Sequence, residues 1–238
     1  MSSEREVQRV TAKILKIAKP ISIFLYGSYA RGEATTQSDV EIGVLMSRRQ
    51  YISRNILQKS IRAKGFRIYP FEYETFKHGE IDTPFQKALY LRELARSGKT
   101  LAGRKIIERI VPPPITALDL VQRIRFDIGQ ALAAVLSYRH KDYAGAAEQF
   151  SKSCFFGARC LVILKTKEFP AGYREIYAHA KKLKLGKYRA LLTAAHRARR
   201  SMKFKEKDLF ANISFLNAFI EPQIVRVFKT KGETILIK

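Results

Sequence analysis

The chain has 238 residues, enough for one large or two medium domains, and a hydrophobic fraction of 46% supplies an ordinary core. Its 45 basic residues against 21 acidic ones, net +24, favour polyanionic partners, nucleic acid first and an acidic membrane surface second. No apolar run approaches membrane-spanning length and charge begins at Glu4, so no transmembrane segment or secretory signal is expected and a cytoplasmic protein is.

Ser3-Glu4-Arg5-Glu6 has the form of a capping box. Val7, Val10, Ile14, Leu15 and Ile17 then recur at helical spacing until Pro20. Ile21 to Tyr26 is β-branched and aromatic, which predicts a buried strand. Gly27-Ser28 opens a sharp turn, where a small residue lets backbone approach a ligand and exposed amides suit phosphate oxygens. In Asp39-Val40-Glu41-Ile42, acidic and apolar residues alternate, so a strand there carries both carboxylates on one face. Two carboxylates beside a phosphate nest are the elements of a magnesium–triphosphate site.

A helix is expected from Tyr51 to Ala63, burying Ile52, Ile56, Leu57 and Ile61 and closed by Gly65. Phe66 to Phe76 reads as a third strand, with Pro70 placing it at an edge or a bulge. A helix starting at Thr83 or Pro84 carries Phe85, Ala88, Leu89, Leu91 and Leu94 to Gly98, and Leu101-Ala102-Gly103 reads as a turn. Pro112-Pro113-Pro114 cannot continue a helix. The domain boundary is expected there, with one domain over 1–111, a proline linker at 112–114 and a second domain over 115–238.

The second domain reads as helical up to about Lys231. Apolar stripes run through Leu118, Val121, Ile124, Ile128, Leu132 and Val135, through Phe150, Cys154, Phe155, Ala158, Leu161 and Val162, and through Leu209, Ile213, Leu216, Ile220, Ile224 and Val227. The last stripe is expected to kink at Pro222, and Thr234 to Ile237 to add a strand. Such stripes with short connections predict a bundle. Cys154 and Cys160, six apart on a helix, cannot bridge each other and have no metal spacing, so reduced thiols are expected. From Lys165 to Lys207 there are 14 basic residues and three acidic ones. That one-sided excess predicts a surface for an RNA phosphate backbone around Arg197, Arg199, Arg200 and Lys203, with Tyr177, Tyr188 and Phe204 interleaved.

Gly27-Ser28, ten intervening residues, then Asp39-x-Glu41 resembles the motif of the DNA polymerase beta-like nucleotidyltransferase superfamily. The fuller Gly-Ser-Tyr-Ala-Arg-Gly at 27–32, with Ser38-Asp39, is similar to its minimal and kanamycin-type branch. The resemblance implies an α/β N-terminal domain, a small mixed sheet with flanking helices, preceding the all-α bundle. It also implies Mg²⁺-dependent transfer of a nucleoside monophosphate from a nucleoside triphosphate to an acceptor hydroxyl, on RNA or protein. Gly27, Ser28 and Arg31 would meet phosphate; Asp39 and Glu41 would hold the metal. The second acid is usually Asp in close relatives, and Glu41 displaces the ion by about one bond length. The third strand usually supplies a third carboxylate, expected near Tyr69. Glu72 is the candidate to replace it, sharing a face with Glu74.

Asp142-Tyr143-Ala144 followed by a Phe- and Ala-rich helix resembles HEPN domains (higher eukaryote and prokaryote nucleotide-binding). Some of these are ribonucleases with an Arg–His pair, a spacing that Arg174 with His179 and Arg189 with His196 match. Two alternatives therefore stand beside the transferase: a catalytically weak nucleotide- or RNA-binding relative, and part of a transferase–HEPN toxin–antitoxin-like system. Convergence of Asp39, Glu41 and Glu72 favours the transferase, and a basic side chain in the gap favours the weak relative. Homo-oligomerisation stays open.

Overall fold

The computed structural model describes residues 4–36, 38–78 and 87–238, and the chain divides into two units, Met1–Pro113 and Pro114–Lys238. The first is built on a four-stranded sheet of order β3-β2-β1-β4. Strand β1 (Ser22–Tyr26) runs antiparallel to β2 (Val40–Met46) and to β4 (Lys99–Gly103), while β3 (Phe66–Glu72) runs parallel to β2. That parallel pair needs a crossover. The crossover contains α3 (Arg54–Ile61).

Period two sorts the side chains onto two faces. Ile23, Val40, Ile42, Val44, Met46 and Ile68 pack on Val7, Val10 and Ile14 of α1 (Glu4–Ile17) and on Leu57 and Ile61 of α3. The opposite face presents Phe24, Tyr26, Leu45 and Phe71 to Phe76, to Leu91 and Leu94 of α5 (Lys87–Ser97), and to Ile107. Gly43 faces Phe24, and a Cβ at that glycine would lie 2.1 Å from the ring. Each fully buried Ile or Leu in these layers is worth about 1.5–3 kcal/mol relative to exposure.

Several elements depart from the sequence reading. Leu15 and Ile17 are 50% and 40% exposed, because the helix already spends its inward stripe on Val7, Val10 and Ile14. Ile56 is exposed for the same reason, with Leu57 and Ile61 taking the inner face of a helix that ends at Arg62 in the left-handed conformation. The third strand stops at Glu72, which opens α4 (Tyr73–Lys77). Pro70 does lie on an edge strand. Leu101-Ala102-Gly103 is not a turn but the end of β4, paired with β1. The expected starts at Ser3 and at Thr83 or Pro84 lie outside the described residues.

The second unit is helical apart from a small antiparallel pair, β5 (Ile115–Thr116) with β6 (Ile235–Ile237). Helix α6 (Ala117–Arg139) starts with a capping box between Thr116 and Asp119 and packs along α7 (Tyr143–Thr166), which Asp142 caps. On α6 the buried face runs through Leu120, Val121, Arg123, Ile124, Asp127 and Ala131, and Leu132 is 51% exposed. An ion pair interrupts that apolar face: Arg123 donates from Nε and Nη2 to Asp127 at 2.9 and 2.7 Å in the core. Burial pushes the Asp127 carboxyl up to about 6, although Arg123 and Arg159 both draw it down. Further along come α8 (Tyr173–Ala180), α9 (Arg189–Ser201), α10 (Glu206–Ser214) and α11 (Glu221–Lys231). A π-helical segment, Phe215–Ile220, precedes Pro222 near the start of α11. Pro222 has no N–H for a regular helical bond, and a wider turn accommodates that locally. Both cysteines are buried and free, and burial pushes the Cys160 thiol up to about 12. Among the described residues no helix is long and apolar enough to cross a membrane.

Candidate functional site

The chain leaves β1 at Tyr26 and turns sharply at Gly27, whose φ of +71° is a left-handed value that suits glycine. The single-turn helix α2 (Gly27–Ala30) follows at once. Amides of such a first turn have no acceptor within the helix and are available to oxygen ligands. The antiparallel register sets Glu41 of β2 opposite Tyr26, beside this turn. A Cβ at Gly27 would lie 1.9 Å from Glu41 Oε2, so the carboxylate lies directly over the glycine. Asp39 stands one strand repeat earlier, about 7 Å along the backbone, on the same face. Ser38 closes the preceding loop, its hydroxyl accepting from the Thr35 amide at 2.9 Å.

Beneath the carboxylates lies a cluster of tyrosines. Tyr26 meets Tyr69 and Tyr90 edge to face, with centroids 6.1 and 6.3 Å away. Burial above all, with the Glu41 charge adding to it, holds the Tyr26 hydroxyl well above its ordinary pKa. Tyr90 is shifted the same way, chiefly by burial. Both stay neutral across the physiological range.

Beside the carboxylates on β3 stands Arg67. The parallel register pairs it with Glu41, and its Nε lies 2.6 Å from Asp39 Oδ2. Partial burial works to lower the Arg67 pKa, but the Tyr69 hydroxyl and the Asp39 carboxylate outweigh it and leave it raised. The Arg54 guanidinium lies 4.3 Å from the Tyr69 ring centroid. The sequence reading missed Arg67, Tyr26 and Tyr90 here and named Tyr69 only as the place where an acid was expected. Their signal was parity, since Arg67 and Tyr69 alternate on one face of the strand beside Asp39-x-Glu41.

Other expected site residues lie elsewhere. Glu72 is paired in register with Met46, five positions along β2 from Glu41 and roughly 16 Å away along the strands. Its carboxylate caps α4, accepting from the Glu74 and Thr75 amides at 3.1 Å each and from the Thr75 hydroxyl. Glu74 belongs to that helix. Arg31 is turned inward, with its side chain 8% exposed and ion-paired to Glu33 and Glu93, so it ties α2 to α5. Among the described residues no three His, Cys, Asp or Glu side chains converge on one point. Asp39 and Glu41 still offer hard oxygens on one face. Carboxylate oxygens of this kind are the donors that suit magnesium.

In the second unit, Arg197 and Arg200 of α9 are exposed, as are Lys203, Lys181 and Lys187. Arg199 differs: it lies 3.7 Å from the Tyr173 ring centroid and is half-buried. Tyr177 stacks on His196 with centroids 5.2 Å apart, under the Lys181 ammonium. Burial, then Arg200 and Arg199, lower the His196 pKa, so the ring is neutral at pH 7. Tyr188 and Phe204 are spent on packing, the first bonded to Ser214 at 2.8 Å and the second against Tyr138 and Phe150. Of the two spaced Arg–His pairs, His179 is held by Glu168 at 2.8 Å, and Arg189 donates to the Leu183 carbonyl at 3.4 Å.

Residues 8–94 match the family described as nucleotidyltransferase domain. No curated protein sequence matches the chain. Among solved structures, the spectinomycin adenyltransferase AAD(9) from Enterococcus faecialis, with ATP and spectinomycin, aligns over 94% of this chain and 100% of that one. The TM-score is 0.58 at 15% identity, which is a likeness of fold.

Proposed function

We propose that the protein, whose residues 8–94 match the nucleotidyltransferase domain family, binds a nucleoside triphosphate and slowly transfers its nucleoside monophosphate to an acceptor hydroxyl. The observation that carries this reading is that Glu41 lies over the Gly27 turn, while Asp39, two residues before it, bonds the Arg67 guanidinium that the register sets beside Glu41. The likeness to AAD(9), a structure with ATP, supports a triphosphate there. The amides of the turn would receive phosphate oxygens, and close approach is possible because Gly27 has no side chain. Glu41 and Asp39 would hold one magnesium ion. When bound, the ion supplies charge compensation and alignment at the phosphates. Tyr26, buried and opposite Glu41 in the strand register, walls one side of that residue. The acceptor oxygen then bonds to the α-phosphorus, pyrophosphate leaves with the bridging oxygen, and the hydroxyl proton passes to water.

Transfer is slow in this reading because, among the described residues, no third carboxylate joins the pair to activate the acceptor. Arg67 in the gap favours the weak end of the family's range, and binding without transfer is the second reading. Purified protein incubated with each α-labelled nucleoside triphosphate, magnesium and a total RNA and protein extract separates the two. Label in a macromolecule that depends on Asp39 supports transfer. Nucleotide bound without any label moved supports binding alone.

We propose RNA as the partner of the C-terminal unit. Exposed Arg197, Arg200 and Lys203 with the half-buried Tyr177–His196 stack combine phosphate-binding cations with a ring surface.

A further inference from the structure

We propose that Arg67 is a triphosphate-binding residue that stands where a second metal ion would, so that the site works with one divalent ion per nucleotide. The inference rests on the nucleotide reading above and concerns how the negative charge of the ligand is met.

The register places Arg67 directly beside Glu41, on the same face as Tyr69, and its Nε bonds Asp39. Those are the positions of β3 from which a third carboxylate would reach the pair, and they hold a guanidinium and a phenol. Three carboxylates sharing one site repel each other and a triphosphate, and two divalent ions are the usual answer. Here two carboxylates face one guanidinium, with a second guanidinium at Arg54 across the Tyr69 ring. Much of the compensation is therefore already covalently present, and one ion suffices for what remains.

Arginine suits this task. It is permanently charged, and its planar fork of donors matches two phosphate oxygens at once. Its side chain is 51% exposed and that of Asp39 is 34% exposed, so their bond is solvent-accessible and of the kind worth at most about 1 kcal/mol. A phosphate oxygen can take the guanidinium from Asp39 and free that carboxylate for the ion. Arg31, ion-paired and turned inward, has no such freedom.

The test counts ions. Mn²⁺ is the probe, followed by its paramagnetic resonance, with α,β-methylene-ATP as a nucleotide whose α–β bridge does not break. Wild-type protein should bind one Mn²⁺ per chain with the analogue. R67D, which restores a carboxylate, should bind two. R67A should lose about tenfold in analogue affinity, and R67K should recover part of it, with melting temperatures unchanged. Two ions in the wild type, or analogue affinity indifferent to R67A, would overturn the inference while leaving the nucleotide reading standing. No analogue binding to the wild type, with or without Mn²⁺, would overturn both.

Discussion

Glu41 and Gly27 meet across the first two strands, the carboxylate lying so close that a methyl group on the glycine would sit 1.9 Å from Oε2. The glycine therefore serves twice, through its left-handed φ and through the room it leaves for the carboxylate. Gly27→Ala should strain the turn and expel the Glu41 carboxylate, at a stability cost of about 1 kcal/mol or more. Analogue binding should fall at least tenfold, because both the turn and a carboxylate move. A calorimetric titration that finds unchanged affinity would show that the phosphates do not lie on this turn.

Asp39→Ala removes a carboxylate that is 34% exposed and bonded to Arg67. Its neighbour Arg67 is left partly in solvent, so the fold should survive with little change in melting temperature. Transfer of label should be abolished, since a charge that matters most in the transition state is gone. Wild-type incorporation in this variant would remove Asp39 from the mechanism.

Glu72 should behave as a capping residue. Glu72→Gln keeps an oxygen for the α4 amides but weakens a charge-assisted cap. The hydrogen bond from Thr75 above all holds its carboxyl below the usual range. A lowered folded-state pKa means stability that is present above the ordinary carboxylate pKa and lost as pH falls through the folded value. The variant should melt lower than wild type at pH 7 and converge with it in acid, with analogue affinity unchanged. A loss of nucleotide binding would return Glu72 to the site.

The local parts of the candidate site were legible in the sequence because their signals are local. Gly27-Ser28 and the alternation at Asp39 and Glu41 each declare themselves within a few residues. Glu72 misled because parity along one strand says nothing about distance along the next, which only the β2–β3 register sets. Arg67 was hidden for the same reason. The fold followed suit: the helices, the first strands and the helical second unit were readable from periodicity, and the mixed sheet was what the family resemblance implied. Strand β4 was not, since a short Leu-Ala-Gly run looks like a turn until β1 is there to pair with it. The buried Arg123–Asp127 pair broke the apolar pattern used to read α6, because charged residues one turn apart ordinarily mark a solvated face.

That pair makes its own prediction. Asp127→Asn leaves Arg123 one carbonyl oxygen in place of two carboxylate oxygens, but because burial favours the neutral carboxyl the loss should be small, read as a urea midpoint close to wild type at pH 7. The pH dependence should change. A folded pKa of about 6 lies above the ordinary carboxylate value, so the folded state takes up a proton that the unfolded chain does not. Its contribution to stability is therefore largest in acid and is lost as pH rises through about 6. Wild type should gain stability between pH 7 and pH 5 relative to Asp127→Asn. Parallel profiles for the two proteins would mean that Asp127 stays ionised throughout.

The basic surface of the second unit is best tested away from Arg199. That residue covers the Tyr173 ring, so its reversal would disturb packing as well as charge. Arg197, Arg200 and Lys203 are exposed and carry no such duty in the fold. Between Lys165 and Lys207 only three acids offset 14 bases, so ion pairing along the helices cannot neutralise the face. Unneutralised charge of this density costs self-repulsion that a phosphate backbone relieves. Changing Arg197, Arg200 and Lys203 together to Glu should weaken RNA binding across sequences. The slope of log affinity against log salt should become shallower by roughly one unit for each phosphate that the protein no longer neutralises. The melting temperature should hold or rise, because like charges have been removed from one another. Tyr177→Ala, by comparison, should weaken single-stranded RNA with little change in that slope, since a ring stacks on bases and releases no counterions. RNA affinity that is absent at low salt, or that ignores the triple reversal, would show that this charge serves another partner.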